Sequence, residues 1–418
     1  MVTPRIAVSI DIGTAKVCTL VVEHGADGAA RLLGSGIARS RGVSKGAIVE
    51  VQAAAAAVAD SVAMAENDSG YTIGSATLGL SGGRTYGLRS SGWVNLSPGA
   101  PIGRREIERA SESARDAALP PGKEILHVLP LNYSIDGGSP VKDPTGMSGL
   151  RLDLDAHVVA VDGDALQSAL DVLESVGVKP DVIVLQPLAS AYAVLTREER
   201  EHGVVLVEIG GGTTDVAVFI EGAVCHTIAI PLGGASITND LAVVLEVSTE
   251  VGERLKLGDD AAPGASFPMN AGRRLDEVEY DQDAEDDGDY IFMDFKLARE
   301  VVDARVKEIF TMIQTDLRRS GYDEMIAAGV VLTGGGSRLN GLQERVSEIL
   351  GTPVRVGAPT GLTGRGQVVH SPEYAAAVGL TMWSSGPPSV PVRDIQESPE
   401  TRGVVLRAAG WFREFLLP

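Results

Sequence analysis

Short apolar runs and amphipathic stretches alternate along this chain, which is the pattern of an α/β protein. Apolar runs at 6–10, 17–22, 204–207 and 216–220 have the length of buried strands. Amphipathic or alanine-rich stretches predict helices at 51–65, 104–117, 164–176, 186–195, 237–245, 250–257, 297–319 and 339–350. Strands that alternate with helices favour layers built on parallel strand pairs.

One pattern occurs twice. A strand leads into DIGTAK at residues 11–16, and another leads into EIGGGTTD at residues 208–215. In each case a second strand, a turn and a third strand follow, and a glycine pair comes at a similar distance, near Gly34 and Gly233. This repetition predicts an internal duplication, in which two strand–turn–strand units face one another.

The pattern also predicts domain boundaries. Residues 83–157 change to turn-rich strands with one helix and a proline-rich stretch, which predicts a small inserted α+β subdomain. It would interrupt a first lobe formed by residues 1–82 and 158–202. The second lobe would comprise 203–240 and 321–383, with its own smaller subdomain at 241–320. Residues 384–401 are rich in proline and predict a flexible linker before the final segment, 402–418.

Composition and charge exclude several classes of function. The 418 residues carry a net charge of −20, which argues against nucleic acid as a partner, because phosphate backbones attract basic surfaces. The amino terminus enters a strand directly, so we expect no signal peptide. No run of about 18 apolar residues occurs, so we expect no membrane-spanning helix.

The acidic charge is concentrated between residues 276 and 289, where nine carboxylates occur without a basic residue. Residues 283–294 imitate the twelve-residue loop that binds calcium in some helix–loop–helix proteins. Glutamate at its third position and aspartate at its twelfth are poor choices for such a site. We therefore interpret the stretch as a solvated acidic loop.

The two repeated turns have the chemistry of phosphate-binding sites. A tight glycine turn presents successive backbone N–H groups without obstruction by side chains, so an anionic phosphate can approach closely. In DIGTAK, Thr14 adds a hydroxyl donor and Lys16 a point charge. Asp11 stands where a phosphate-bound Mg²⁺ and its waters need an acidic partner. EIGGGTTD repeats the arrangement from the opposite side.

A third glycine cluster follows a later strand, in the segment GVVLTGGGSRL at residues 329–339. We expect a helix to begin near Leu339, which would place the triple glycine close to a ligand at a helix N-terminus. The cluster is neither GxGxxG nor GxxxxGK[ST]. A Rossmann dinucleotide site and a P-loop are therefore not supported.

The order of five motifs resembles the ATPases related to actin, sugar kinases and heat-shock chaperones. They are DIGT, QPLASAY (186–192), EIGGGTTD, LTGGGSRLNG (332–341) and SPEYAAAVGL (371–380). PLGGASITNDLA at 231–242, followed by ERLKLG, is most similar to the FtsA family of bacterial cell-division proteins. The resemblance covers essentially the whole chain. It implies an actin-like two-lobed fold with duplicated ribonuclease-H-like domains, an inserted small α+β subdomain and a C-terminal amphipathic helix.

The resemblance implies ATP and Mg²⁺ as cofactors. The residues that would hold the phosphates and the adenosine are Gly13, Thr14, Lys16, Gly210, Gly211, Gly212, Thr213, Gly234, Glu253, Lys256, Gly334, Gly335, Gly336 and Ser337. Asp11 would be the acidic partner of the metal and, with Glu208, a catalytic candidate. Gln186 would orient the attacking water. An equal alternative is that Gln186 caps the helix predicted at 186–195.

Glu208 departs from the family pattern, in which aspartate opens the second turn. One extra methylene displaces a carboxylate by about 1 Å, and such a displacement costs on the order of a hundredfold in rate when the group positions water or metal. We therefore expect ATP binding to be retained and hydrolysis to be slow. Nucleotide would then act as a conformational and assembly switch.

The last segment, RGVVLRAAGWFREFLLP, predicts an amphipathic helix that lies in the plane of a membrane. At 100° per residue its apolar side chains form one arc, and arginines flank the arc toward anionic headgroups. The residues of this membrane contact would be Arg402, Val404, Val405, Trp411, Phe412, Arg413, Phe415 and Leu416. Docking of the helix on the core is the alternative. The preceding linker and the resemblance favour the membrane.

The leading hypothesis is an ATP-binding, self-polymerising adaptor that anchors the FtsZ ring to the cytoplasmic face of the membrane at the septum. Its partners would be the FtsZ C-terminal tail, an anionic membrane surface, further copies of itself and other division proteins. The resemblance implies that the FtsZ tail, which is acidic to apolar, binds in the region of the helix at 297–319, and the basic face of this helix suits such a ligand. Solvated charge on this helix is an equal alternative. The alternative is an actin-like pilus-assembly protein that binds a pilus inner-membrane protein, which should lack the linker and tail. A sugar kinase is disfavoured, because no segment indicates its catalytic aspartate.

Overall fold

The computed structural model describes residues 5–25, 29–81, 83, 85–116, 119–257, 295–364 and 370–383. The predictions for the acidic stretch 276–289, the linker 384–401 and the tail 402–418 lie outside these residues. The described strands are β1 (Arg5–Ile12), β2 (Lys16–His24), β3 (Ala30–Arg39), β4 (Val43–Ser44), β5 (Ala47–Ile48), β6 (Ser75–Leu80), β7 (Thr85–Asn95), β8 (Lys123–Ile135), β9 (Arg151–Asp162), β10 (Lys179–Leu185), β11 (Val204–Ile209), β12 (Thr214–Ile220), β13 (Ala223–Ile230), β14 (Val330–Thr333), β15 (Val354–Val356) and β16 (Leu362–Thr363).

Eight of the described helices occupy the predicted ranges to within a few residues, whereas the helices Arg197–His202 and Ala375–Trp383 were not predicted from the sequence. The described helices are α1 (Val51–Ser69), α2 (Arg104–Ser113), α3 (Gly163–Ser175), α4 (Gln186–Val194), α5 (Arg197–His202), α6 (Gly234–Val244), α7 (Thr249–Leu257), α8 (Phe295–Ser320), α9 (Leu342–Leu350) and α10 (Ala375–Trp383). The expected helix start at Leu339 is wrong. A 3-10 turn over Gly335–Arg338 comes first, and Gly341 has a φ of +71°, so the α-helix begins only at Leu342.

The two large sheets share one topology, so the predicted duplication is present. The first sheet has the strand order β10-β6-β1-β2-β3-β16, and the second has the order β13-β12-β11-β14-β15. In each, three antiparallel strands are followed by two that run parallel to the first of them. Sheets with parallel strands require cover on both faces, and the central strands β1, β11 and β12 are accordingly buried almost throughout.

The glycines of the first repeat, Gly34 and Gly36, have a packing role. A Cβ at Gly36 would lie 1.8 Å from the carbonyl oxygen of Ser61, and one at Gly34 would lie 2.5 Å from the amide nitrogen of Ser69. Both glycines lie in β3, and both contacts are with α1. They therefore let α1 approach the sheet closely.

Helices α4 and α10 cross at very short range beside the first sheet. A Cβ at Gly379 of α10 would lie 1.8 Å from the carbonyl oxygen of Ala189 in α4. Small residues at such a crossing let two helix backbones approach more closely than larger side chains allow. Because both helices are almost entirely buried, they fix the positions of the segments that precede them.

The third sheet, with the order β7-β9-β8, carries α2 and has an apolar core of its own. It contacts the edge strand β13 of the second sheet. The Nε2 of His157 in β9 lies 3.0 Å from the Oγ1 of Thr227 in β13. The Nζ of Lys142 lies 3.2 Å from a carboxylate oxygen of Glu221. Among the described residues, no helix combines the length and the apolar character needed to cross a bilayer.

Candidate functional site

The first repeated turn joins β1 to β2. The backbone N–H of Gly13 donates to the carbonyl oxygen of Lys16 at 3.0 Å, which closes a four-residue turn. Asp11 lies opposite Cys18 in the strand pair, on the last hydrogen-bonded part of β1. The Oγ1 of Thr14 accepts from the N–H of Gly46 at 3.1 Å. The Thr14 side chain is thereby held against the small β4–β5 hairpin.

The second turn has the same geometry. The N–H of Gly210 donates to the carbonyl oxygen of Thr213 at 2.8 Å. Glu208 lies opposite Asp215, so its position in β11 matches that of Asp11 in β1. The hydroxyl of Thr213 donates to an Asp215 carboxylate oxygen at 2.9 Å. The two units therefore offer equivalent turns, each preceded by a buried acidic side chain.

The two turns lie directly against each other. A Cβ at Gly211 would lie 3.0 Å from the Cβ of Ala15, and one at Gly212 would lie 2.5 Å from the Oγ1 of Thr14. The Cα of Lys45 would be only 2.9 Å from that added atom at Gly212. Glycine is therefore required at Gly212, because a side chain there would separate the turns, and a side chain at Gly211 would make a tight contact with Ala15.

Helix α6 orients the second turn. The N–H of Gly234 donates to the carbonyl oxygen of Gly210 at 2.9 Å, and the N–H of Ala235 donates to that of Gly211 at 2.7 Å. In a trans peptide the N–H of the next residue points opposite to the carbonyl. The N–H groups of Gly211 and Gly212 consequently point away from α6, where they can reach an anion.

The third glycine cluster packs against the end of β11, next to the second turn. Gly334 has a φ of +80°, and its N–H donates to the carbonyl oxygen of Pro372 at 3.1 Å. A Cβ at Gly336 would lie 2.3 Å from the Cγ2 of Ile209. Ser337 is buried, and its hydroxyl donates to the carbonyl oxygen of Gly334 at 2.7 Å. That hydroxyl stabilises the turn itself.

Glu253 and Lys256 lie beside the first turn of α6. The Nζ of Lys256 is 2.6 Å from a carboxylate oxygen of Glu253, 3.0 Å from the Oγ1 of Thr238 and 3.3 Å from the carbonyl oxygen of Gly234. This places both predicted residues next to Gly234. Thr238, which the sequence did not single out, joins them.

Gln186 is not a helix cap. It is the first residue of α4, it is buried, and its amide nitrogen donates a short hydrogen bond to the carboxylate of Asp11. The residue before it, Leu185, occupies the cap position without a side-chain bond. Gln186 therefore links α4 to Asp11, the acidic residue that precedes the first turn.

Burial governs the protonation of the two acidic residues. It raises the pKa of Asp11 to about 6, although the nearby charge of Lys16 and the bond from Gln186 lower it. Burial also raises the pKa of Glu208 to about 8, and the charges of Asp11 and Asp215 raise it further. Desolvation disfavours a charged carboxylate, so Glu208 carries a proton at neutral pH.

The acidic residues suit a hydrated metal ion that is bound mainly through phosphates. No group of three or more His, Cys, Asp or Glu side chains within the described ranges is arranged as a protein-only metal cage. The Oε2 of Glu208 is buried and has no hydrogen-bond partner. Mg²⁺ keeps several waters and takes few protein ligands. A water bound to such an ion would satisfy the unpaired oxygen of Glu208.

Several residues of this region were not predicted from the sequence. Lys45 has a φ of +48° and, with Gly46, lies against Gly212 and Thr213. Ser81 lies with its hydroxyl 3.2 Å from the Oγ1 of Thr213. The dipeptide Lys45-Gly46 was a signal of a tight turn. Nothing in the sequence placed that turn next to a segment more than 160 residues away.

Comparisons with known proteins agree with this architecture. A family model described as cell division protein FtsA matches residues 205–379, and a second, described as the SHS2 domain inserted in FtsA, matches residues 82–160. The chain is 38% identical to the cell division protein FtsA of Pseudomonas aeruginosa, over 91% of this chain and 89% of that protein. It is 31% identical to FtsA of Escherichia coli strain K12, over 90% of this chain and 89% of that protein.

Solved structures show the same fold at low sequence identity. A PilM–PilN type IV pilus biogenesis complex matches with a TM-score of 0.64 and 16% identity, covering 91% of this chain and 99% of that chain. MreB5 of Spiroplasma citri bound to AMPPNP matches with a TM-score of 0.50 and 13% identity, covering 91% and 96%. These likenesses show an actin-like fold. The identity and coverage of the FtsA relatives go further: this chain belongs to the FtsA family of cell division proteins.

Proposed function

We propose that the chain binds ATP with Mg²⁺ between its two large sheets. The observation that carries the proposal is the contact between the two glycine turns, one from each repeat. The N–H groups of Gly211 and Gly212 in the second turn point away from α6, and the first turn supplies Lys16. Phosphates in this position would accept bonds from the backbone of both turns. The residues that would hold ATP are those predicted from the sequence, namely Gly13, Thr14, Lys16, Gly210, Gly211, Gly212, Thr213, Gly234, Glu253, Lys256, Gly334, Gly335, Gly336 and Ser337.

Different residues of this site would contact the metal, the phosphates and the adenine. Mg²⁺, when bound, would neutralise phosphate charge, and Asp11 and Glu208 would accept hydrogen bonds from its waters. Gln186 would keep the Asp11 carboxylate in position through the bond already described. Gly334 and Gly336 let their backbone pack directly against Ile209, and Gly335, where an added Cβ would come no closer than 3.8 Å to the Cβ of Glu373, would leave room for an adenine ring. The replacement of Gly212 considered in the Discussion tests this assignment.

The protein is a cell division protein, and its finer role follows from two further segments. It would assemble into filaments at the septum and anchor the FtsZ ring to the cytoplasmic face of the membrane, with other division proteins as partners. The amphipathic pattern of residues 402–418 supports the membrane contact. The positive side chains of α8 support contact with an acidic peptide, although Arg305 is engaged by both carboxylate oxygens of Asp240, at 2.7 and 3.0 Å.

Removal of the tail is expected to abolish membrane binding. A chain that ends at Glu400 lacks the apolar arc and its arginines, and it should remain in the supernatant when mixed with anionic vesicles. The full chain should sediment with the vesicles, and more weakly with neutral ones. Co-sedimentation measures both. Equal pelleting of the full and truncated chains would refute the assignment.

The FtsZ tail is expected to bind the ATP-loaded protein, with Lys307 contributing charge. Lys307 is exposed on α8, and Lys307→Glu should weaken binding of an FtsZ C-terminal peptide by about fivefold, because like charges then oppose each other. Lys179→Glu, an equal charge change at an exposed position of β10, is the matched control. Fluorescence anisotropy of a labelled peptide measures the affinity.

A lack of binding between the natural chain and the FtsZ peptide would contradict the FtsZ assignment. The pilus-assembly alternative would then gain weight, and the fold shared with the PilM–PilN complex is the observation in its favour. That structure, however, is only 16% identical to this chain. A peptide from a pilus inner-membrane protein, tested in the same assay, would separate the two functions.

A further inference from the structure

Residues 371–374, immediately before α10, lie between the first glycine turn and the third glycine cluster. The carbonyl oxygen of Pro372 accepts from the N–H of Gly334 at 3.1 Å and from the Oγ1 of Thr333 at 3.3 Å. These bonds fix the segment against the second sheet. The residue that follows, Glu373, was not among the predicted site residues.

The Glu373 carboxylate lies between two positive side chains from different sheets. Its Oε2 is 3.9 Å from the Nζ of Lys16, which follows β1, and 3.5 Å from an Nη1 of Arg338, which follows β14. The Lys16 ammonium also lies 4.6 Å from the ring centroid of Tyr374. Glu373 therefore lies within ion-pair distance of the predicted phosphate-binding lysine, in addition to the nearby buried carboxylates of Asp11 and Glu208.

The contact between Glu373 and Lys16 is weak enough to be exchanged. At 3.9 Å it exceeds hydrogen-bond length, and both side chains are about a fifth to a quarter exposed, so water screens their attraction. The lysine side chain is flexible and can turn its ammonium group toward another acceptor. A triphosphate carries several negative charges and would compete effectively for it.

We propose that Glu373 competes with nucleotide phosphates for Lys16 and thereby lowers the affinity of the site for ATP. The inference rests on the proposed ATP site. In this arrangement Glu373 is a positioning residue: it holds Lys16 and Arg338 near the first glycine turn and the third glycine cluster, and it gives up Lys16 when phosphates enter.

Glu373→Gln should therefore bind ATP more tightly than the natural chain, by about threefold to tenfold. Adenosine, which has no phosphate, should bind both proteins equally. A merely structural role for Glu373 would instead weaken both ligands. Glu344→Gln is the matched control, because Glu344 is exposed on α9 and its replacement removes the same charge. Isothermal titration calorimetry with ATP and with adenosine measures the six affinities of the natural chain and the two variants.

The gain should depend on Lys16. In a Lys16→Gln background, Glu373→Gln should raise the ATP affinity only slightly above that of Lys16→Gln alone, because the competition for the lysine has been removed. An unchanged or weaker ATP affinity of Glu373→Gln overturns the inference while the ATP site stands. A full gain in the Lys16→Gln background overturns the competition for this lysine. Absence of ATP binding by the natural chain overturns the proposed function and the inference together.

Discussion

Gly212→Ala is expected to weaken ATP binding by about a hundredfold, because the new methyl group would separate the two glycine turns. The added Cβ would lie 2.5 Å from the Oγ1 of Thr14 and 2.9 Å from the Cα of Lys45. Contacts this short cannot be kept. The Lys45 atom belongs to the backbone, so it cannot move aside by a change of side-chain rotamer. One turn must shift by about 1 Å, and a displacement of that size in a phosphate-positioning group has a large cost.

The control for this replacement is Gly74→Ala. Gly74 has no heavy atom within 4 Å of an added Cβ, and its φ is not positive, so alanine is tolerated there. Calorimetric titration with Mg²⁺ and ATP gives the affinities, and thermal unfolding shows whether each variant still folds. An ATP affinity of Gly212→Ala equal to that of the control would mean that this turn does not hold phosphate.

The turns could be predicted because each is encoded locally. The acidic residue, the glycines and the flanking apolar strands lie within 17 consecutive residues, at 6–22 and at 204–220, and their repetition removed the ambiguity of a single glycine turn. Most of the helices, all but α5 and α10 among those described, were predicted for the same reason. A 3.6-residue period and a glycine or proline boundary are visible in any short window.

Contacts between distant residues could not be predicted. Gln186 bonds to Asp11 across 175 positions, and Glu373 reaches Lys16 across an even longer separation. No local pattern specifies which side chains meet at that range, since the sheets and the α4–α10 crossing decide it. Gly34 illustrates the same limit, because its spacing in the repeat did not show that it packs against α1.

Binding of Mg²⁺ and ATP is expected to release a proton and to tighten as pH rises from 7 to 8. At pH 7 Glu208 is mostly protonated, because its pKa is raised to about 8, while Asp11, with a pKa of about 6, is mostly ionised. A nearby divalent cation favours the ionised carboxylate, so Glu208 gives up its proton on binding. The affinity should then rise by up to about tenfold per pH unit until Glu208 is ionised in the free protein.

Glu208 also makes the free energy of unfolding depend on pH. Between the ordinary glutamate pKa of 4.5 and about 8, the folded chain holds a proton on Glu208 that the unfolded chain has lost. The contribution of this residue to the free energy of unfolding is therefore largest in acid, and it falls as pH rises through 8. Bound Mg²⁺ should oppose this loss by stabilising the ionised form.

Titrations in two buffers with different ionisation enthalpies measure the number of protons released at pH 7.5. Glu208→Gln keeps the size of the side chain but cannot ionise, so it should abolish most of the release and flatten the affinity between pH 7 and 8. ATP without Mg²⁺ supplies only negative charge, which favours the protonated carboxyl, so proton uptake should replace release. If Glu208→Gln released as many protons as the natural chain, another group would be titrating. The buried Glu208 would then have no contact with the metal.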